Sequence, residues 1–354
     1  DPLNHREWLK EILHDEMDDT MQYEEIWDGH FRYFSDYAII VYHTESCEKE
    51  KTPLLSYLKE YDRLHYAYGV IHLHDERING CRSHYPMARF VLRNNIHPSM
   101  YSRTNVLEIP IGYSNGAGRS TSRPGMMKPP IERDLVWSFS GDTRSKPHRQ
   151  NTIKKMFEFY SNNDHLHHHQ TNIWNDRSKL NISTYVNFMK RSIFVPSPIG
   201  TVYEDGNKPN GLGAIRTWEA LEQGALPIIE SFEFFDPKWR EHTDWLYLGR
   251  YNILNESLFP IPLLIVNQNW SNVKDILHPF VNDLDRLNAL WSHTMEWYDK
   301  IKMNTRKFVR HFVLDQLYES RQWKTAEEFG HCTILSKNIY YTMKCIAEEV
   351  PTNA

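Results

Sequence analysis

Apolar runs of strand length alternate with stretches of helical spacing along most of this chain. Residues 37–43 (YAIIVYH) and 68–76 (YGVIHLHDE) read as buried strands, and 54–64 (LLSYLKEYDRL) between them carries a helical period. Residues 88–95 (ARFVLRNN) and 105–113 (NVLEIPIGY) are two further strand candidates, each followed by loop residues. Residues 114–130 (SNGAGRSTSRPGMMKPP) break the pattern with Gly, Ser and Pro and little that packs, the composition of a linker. The alternation then restarts: a strand at 135–141, a helix at 147–163, and an amphipathic helix at 180–192 with Leu180, Tyr185, Phe188 and Met189 on one side. A strand running into a loop (IFVPSPIG), a helix and strand within 211–230 and a strand at 262–269 complete the series. Residues 1–35 predict one or two surface helices, and the chain from about 272 onward predicts mostly helix.

Alternating strands and helices build parallel sheets, so the fold class is α/β. The linker divides the chain into two halves, 1–130 and 131–330, with 331–354 predicted as a C-terminal helix that packs back on the first half. The length of 354 residues agrees, because it exceeds what one core usually holds. Acidic and basic residues are interspersed at a net charge of −5, which excludes the basic patch of a nucleic-acid binder. No apolar run reaches the ~18 residues of a membrane span. The four cysteines form no CxxC pair, which argues against a zinc knuckle or thioredoxin-like motif and leaves disulfides open. Asn181, Asn255 and Asn269 each start an Asn-x-Ser triplet, and the chain begins at Asp1. These fit a secretory-lumen domain whose signal or anchor has been removed, but a cytoplasmic location stays equally open.

Two stretches carry chemistry. In 138–156 (SFSGDTRSKPHRQNTIKKM) a strand ends at Gly141 and a helix begins near Pro147, with Arg144, Lys146, His148 and Arg149 crowding its start. Cations oppose the dipole at a helix N-terminus unless an anion is bound there. Free N–H groups and Arg forks suit a diphosphate, and that reading is preferred to a solvated basic loop. In 211–230 (GLGAIRTWEALEQGALPIIE), Arg216 and Glu219 share one helix face, and Gly224 stops the helix before the next strand. They form either an exposed ion pair or a nucleotide site, with Glu219 accepting ribose hydroxyls and Arg216 meeting phosphate. Asp75 and Glu76, with His74 beside them, follow a buried strand and are candidates for a general base or a turn cap. The Asp-Leu-Asp at 283–285 reads as a solvated helix face, and the His-rich 165–170 as a polar strand, rather than as metal sites.

The segments FVPSPIG…AIRTWEALEQGALPII, FSGDTRSKPHRQNTI, FVLRNN with IPIGY, and HLHDE resemble, in order over about residues 65–270, the exostosin-type glycosyltransferases, nearest to ribitol xylosyltransferase-like members. The resemblance implies a GT-B fold, two Rossmann-like domains facing a cleft, with acceptor on the N-terminal half and nucleotide sugar on the C-terminal half. It implies an inverting transfer of xylose or another pentose or hexose from a UDP-sugar to a glycan hydroxyl, and Arg144, Arg149, Arg216 and the helix N-terminus would neutralise the diphosphate in place of a divalent metal. Glu76, or Asp75, then serves as the base, and Gly141, Arg144, Arg149, Pro198, Gly200, Arg216 and Glu219 bind the donor. The loop between Gly200 and Arg216 is longer than the family's usual one. The alternatives are a catalytically silent glycan-binding or partner-chaperoning protein of the same fold, and a sugar-nucleotide epimerase. The sequence does not fix the oligomeric state.

Overall fold

A computed structural model describes residues 6–13, 23–25, 37–43, 63, 67–73, 85–94, 103–118, 127–143, 147–171, 180–198, 215–231, 262–267, 269–319, 332–337 and 340–345. The chain divides into two compact units, one of Asp1–Leu3, Glu11–Pro110 and Thr305–Ala354, the other of Asn4–Lys10 and Ile111–Asn304. Each is built on its own sheet, and the fold is α/β.

The first unit holds β1 (Tyr23–Glu25), β2 (Tyr37–His43), β3 (Ala67–Leu73), β4 (Phe90–Arg93), β5 (Val106–Glu108), β11 (Cys332–Lys337) and β12 (Tyr340–Cys345). Their order in the sheet is β1-β11-β12-β2-β3-β4-β5. Strands β2 to β5 pair in parallel, as the continuous apolar runs of an α/β sheet do. The strands at 332–337 and 340–345 correct the C-terminal helix predicted over 331–354. They form an antiparallel pair, and β12 lies antiparallel to β2, with Met343 opposite Ile39. The predicted helical start is likewise only partly helical: α1 spans Arg6–Leu13, but Tyr23–Glu25 is a strand parallel to β11.

The second unit holds β6 (Leu135–Asp142), α2 (Pro147–Phe159), β7 (Leu166–Thr171), α3 (Ile182–Arg191), β8 (Ser192–Ser197), α4 (Ile215–Glu222), β9 (Leu226–Glu230), β10 (Leu264–Val266), α5 (Val273–Val281) and the first part of α6 (Leu284–Glu319). All five strands are parallel, in the order β10-β9-β8-β6-β7. Alternate residues of β8 serve the two faces. Phe194 joins a core with Ile153, Met156, Val273 and Leu277 of α2 and α5, whereas Val195 packs with Met189 and Ala220 of α3 and α4. Helices on both faces of a parallel sheet make a doubly wound unit. Segment 111–118, predicted as the last of a strand and the start of the linker, belongs to this unit.

Local sequence explains the element ends. Asn181 caps α3 through its side-chain oxygen, which accepts from the Thr184 N–H. Gly224 sits at φ 70, and the pair Gly224 N–H to Leu221 C=O and Ala225 N–H to Ala220 C=O closes α4 as a Schellman motif.

Candidate functional site

The second sheet reverses its build direction between β6 and β8, and ligands of such sheets bind outside the carboxyl ends of the strands at that point. The register shows why room exists there. Strands β6 and β8 pair at Leu135–Ser192 and Trp137–Phe194 and no further. Yet β6 stays paired with β7 as far as Asp142, and β8 with β9 as far as Ser197. Pro196, in the part of β8 that pairs with β9 but not with β6, has no N–H to offer a ladder. The carboxyl ends of the two strands therefore part, with Gly141 on one and Pro198 just past the other.

Helices α2 and α4 both follow strands that end here. Ser197 and Thr217 hydroxyls lie 2.7 Å apart, tying the first turn of α4 to the end of β8. That fixes Arg216, whose Nη2 donates to the Ser140 carbonyl at 2.9 Å while its guanidinium carbon lies 4.4 Å from the Phe139 ring centroid. Gly141 leaves space for it: a Cβ at that position would stand 2.8 Å from Arg216 Nη2. Among the described residues Arg216 Nε is buried with no hydrogen-bond partner. Arg149, in the first turn of α2, donates from Nη1 to the Asp142 carbonyl at 3.4 Å.

Glu219, one turn along α4, is only 4 % exposed. Its Oε2 accepts from the Tyr185 hydroxyl at 2.7 Å, and its Oε1 accepts from the Ser114 hydroxyl. Burial, and the Glu219 charge beside it, push the Tyr185 hydroxyl well above the ordinary tyrosine range, with Arg216 opposing. Tyr185 therefore stays protonated and donates a hydrogen bond to Glu219. One turn further on, Glu222 accepts from Tyr298 at 2.6 Å and from Lys302 Nζ at 2.8 Å. Arg133, buried behind α4, spends its guanidinium on the carbonyls of Lys128, Met189, Ser192 and Gln223, and burial lowers its pKa to about 10.

The structure thus brings Gly141 and Arg216 together, places Arg149 at the carboxyl end of β6, and puts Glu219 one turn beyond Arg216. Arg144, Gly200, His74, Asp75 and Glu76 lie outside the described residues, as does the loop 201–214. The strand β3 that precedes His74 ends in a buried network: Tyr85 receives Arg93 Nη1 at 2.7 Å and lies 2.6 Å from His72 Nδ1. Sequence patterning missed Tyr185 and Ser114 as partners of Glu219. Tyr185 was legible only as an apolar-face residue, although a tyrosine hydroxyl facing a core demands a partner.

Among the described residues no three His, Cys, Asp or Glu gather into a metal site. Asp283 caps α6 by accepting the Arg286 N–H at 3.0 Å. In β7, alternate His side chains face opposite sides, His167 against Phe188 and His168 against Phe157. No described helix is long and apolar enough to cross a membrane.

No known protein family and no curated protein sequence matches the chain. Among solved structures it resembles that of MurG from Acinetobacter baumannii. The identity is 11 %, the TM-score 0.36, and the match covers 75 % of this chain and 77 % of that one.

Proposed function

We propose that the second unit binds a nucleoside diphosphate sugar and that the protein is an inverting glycosyltransferase acting on a glycan hydroxyl. The observation that carries this reading is the parting of β6 and β8 at the switch point, with a glycine-accommodated Arg216 and a buried Glu219 on the helix that starts there. Arg149 and Arg216 neutralise the diphosphate, as does the N-terminus of α2, and Glu219 accepts from the ribose. Gly141 and Pro198, with Arg144 and Gly200 beyond the described residues, complete the donor site by resemblance to the exostosin-type enzymes. Glu76, or Asp75, removes the proton from the acceptor hydroxyl. The acceptor oxygen bonds to the anomeric carbon from the face opposite the diphosphate, the sugar–phosphate bond breaks, and the electron pair leaves on UDP. The cationic side chains stand where a divalent ion otherwise would, so turnover survives EDTA.

Titration with UDP and uridine tests the reading. Arg149→Ala and Arg216→Ala each weaken UDP binding about tenfold or more and leave uridine nearly unaffected, since charge-assisted contacts act on the diphosphate. Equal losses for both ligands would assign these arginines to structure alone. Glu76→Gln lowers turnover by about 10²–10⁴-fold with UDP affinity retained.

A further inference from the structure

Resting on the nucleotide-binding reading above, we infer that the two hydroxyls on Glu219 have different parts. Tyr185 is a positioning residue that fixes the carboxylate, and Ser114 stands where a ligand hydroxyl binds and gives way to it, so the site selects a ribose with its vicinal diol.

Glu219 is buried, and each of its oxygens already accepts from one hydroxyl. A carboxylate oxygen has two acceptor positions, so one remains on each, and only a donor can use it. The two partners are held differently. Tyr185 sits on α3 with its ring against Met189, Val195, Ala220 and Ala225, so its hydroxyl is anchored by the same core that holds α4. Burial keeps that hydroxyl protonated, so its proton stays available to Glu219. Ser114 belongs to an irregular segment, with Gly112 and Gly116 at φ 67 and 77, and its side chain is half-buried. The segment is held by main-chain and neighbouring contacts, among them the Ala117 N–H to the Ser114 carbonyl at 2.9 Å, and not by the Ser114 side chain. Asn115 Oδ1 accepts the Glu7 N–H at 3.0 Å, Glu7 Oε2 accepts the Gly116 N–H at 3.0 Å, and the Ala117 carbonyl accepts from Gln223 Nε2 at 2.5 Å. Rotation of one serine side chain exposes Oε1 without moving that frame. A ribose offers two adjacent O–H donors to such a carboxylate, and a 2′,3′-dideoxyribose offers none.

The experiment is calorimetric titration of wild type, Tyr185→Phe and Ser114→Ala with UDP and with 2′,3′-dideoxy-UDP. Wild type prefers UDP by about tenfold or more, the worth of hydrogen bonds to a charged group. Tyr185→Phe keeps the ring and the packing. Its preference falls to within a few-fold of unity through weaker UDP binding, while dideoxy-UDP affinity is unchanged. Ser114→Ala, on an irregular segment held by other contacts, keeps the preference and binds UDP as tightly as wild type or more tightly. Equal loss of both ligands in Tyr185→Phe would make Tyr185 a packing residue and overturn the inference. So would a collapsed preference in Ser114→Ala, a result that stands even if Tyr185→Phe fails to fold. Wild type that binds both ligands equally refutes the inference but leaves diphosphate binding intact. Wild type that binds neither removes the nucleotide reading and the inference together.

Discussion

Helix α4 carries two buried carboxylates three residues apart, and their surroundings differ in kind. Glu222 meets a lysine ammonium and a tyrosine hydroxyl, both from α6, with Lys302 only 11 % and Glu222 0 % exposed. Its charge is cancelled inside the protein. Glu219 meets two neutral hydroxyls, from α3 and from segment 111–118, and Arg216 precedes it on the turn that opens at the sheet edge. The same helix thus holds one carboxylate whose partner charge is built in and one surrounded by neutral donors. A buried ion pair that loses one member leaves an uncompensated charge, which is costly. A carboxylate held by neutral donors keeps acceptor capacity for a ligand. The difference separates what holds α4 in place from what the helix presents.

The largest effect expected from this contrast is on Lys302. Replacing it with Met removes a buried ammonium partner of Glu222 and lowers unfolding free energy by about 3–5 kcal/mol. UDP affinity of the folded fraction stays at the wild-type value, because Lys302 has no part in the donor site. Urea denaturation with and without UDP reads both quantities. A stability loss under about 1 kcal/mol, as for a surface pair, would erase the contrast from the Glu222 side.

Next in size is Glu219→Gln. An amide in place of the carboxylate brings a donor to face the hydroxyls of Tyr185 or Ser114, and charge-assisted contacts to the ribose are lost. UDP binding weakens by about 1.5–3 kcal/mol. Stability changes less than in Lys302→Met, since no buried counter-charge is stranded. A variant that unfolds readily but binds UDP normally would place Glu219 with Glu222 as a scaffold residue.

The alternation of elements was legible because the strands of the second sheet, the polar β7 apart, are local apolar runs. The stop at Gly224 and the shared face of Arg216 and Glu219 are equally local. The strands at 332–337 and 340–345 were not legible, because their pairing is remote. Tyr-Tyr-Thr-Met (340–343) has strand-forming residues, but what fixes it is β2, some three hundred residues earlier in the chain. Glu219 and Ser114 are 105 positions apart, and Glu219 and Tyr185 are 34 apart. No periodicity links residues on different elements, so the sequence shows a helix face and not the hydroxyls that meet it.

The smallest expected effect sets the other edge of the second sheet against the switch point, and pH is the lever. Burial lowers the pKa of His167 from 6.5 to about 4, assisted by the neighbouring His169, His168 and Arg191, and His168 shifts the same way. The folded state thus disfavours the imidazolium. Stability is full above pH 6.5, the unfolded value, and falls as pH drops toward about 4, where the folded ring takes its proton. Carboxylates held low by ion pairs, Asp134 by Arg191 and Glu296 by Lys300, lose their contribution only below their ordinary values of 3.8 and 4.5. Among the described residues, the interval between pH 6.5 and 4.5 is therefore left to His167 and His168. His167 is part-exposed, so solvent screening limits the change over that interval to about 1 kcal/mol. Thermal denaturation of wild type and His167→Gln across pH 4.5–7.5 measures it. The variant gives the flatter profile, because a glutamine takes up no proton. If both profiles slope alike, the acid sensitivity resides at other sites, and the edge strand β7 is no more pH-responsive than the centre of the sheet.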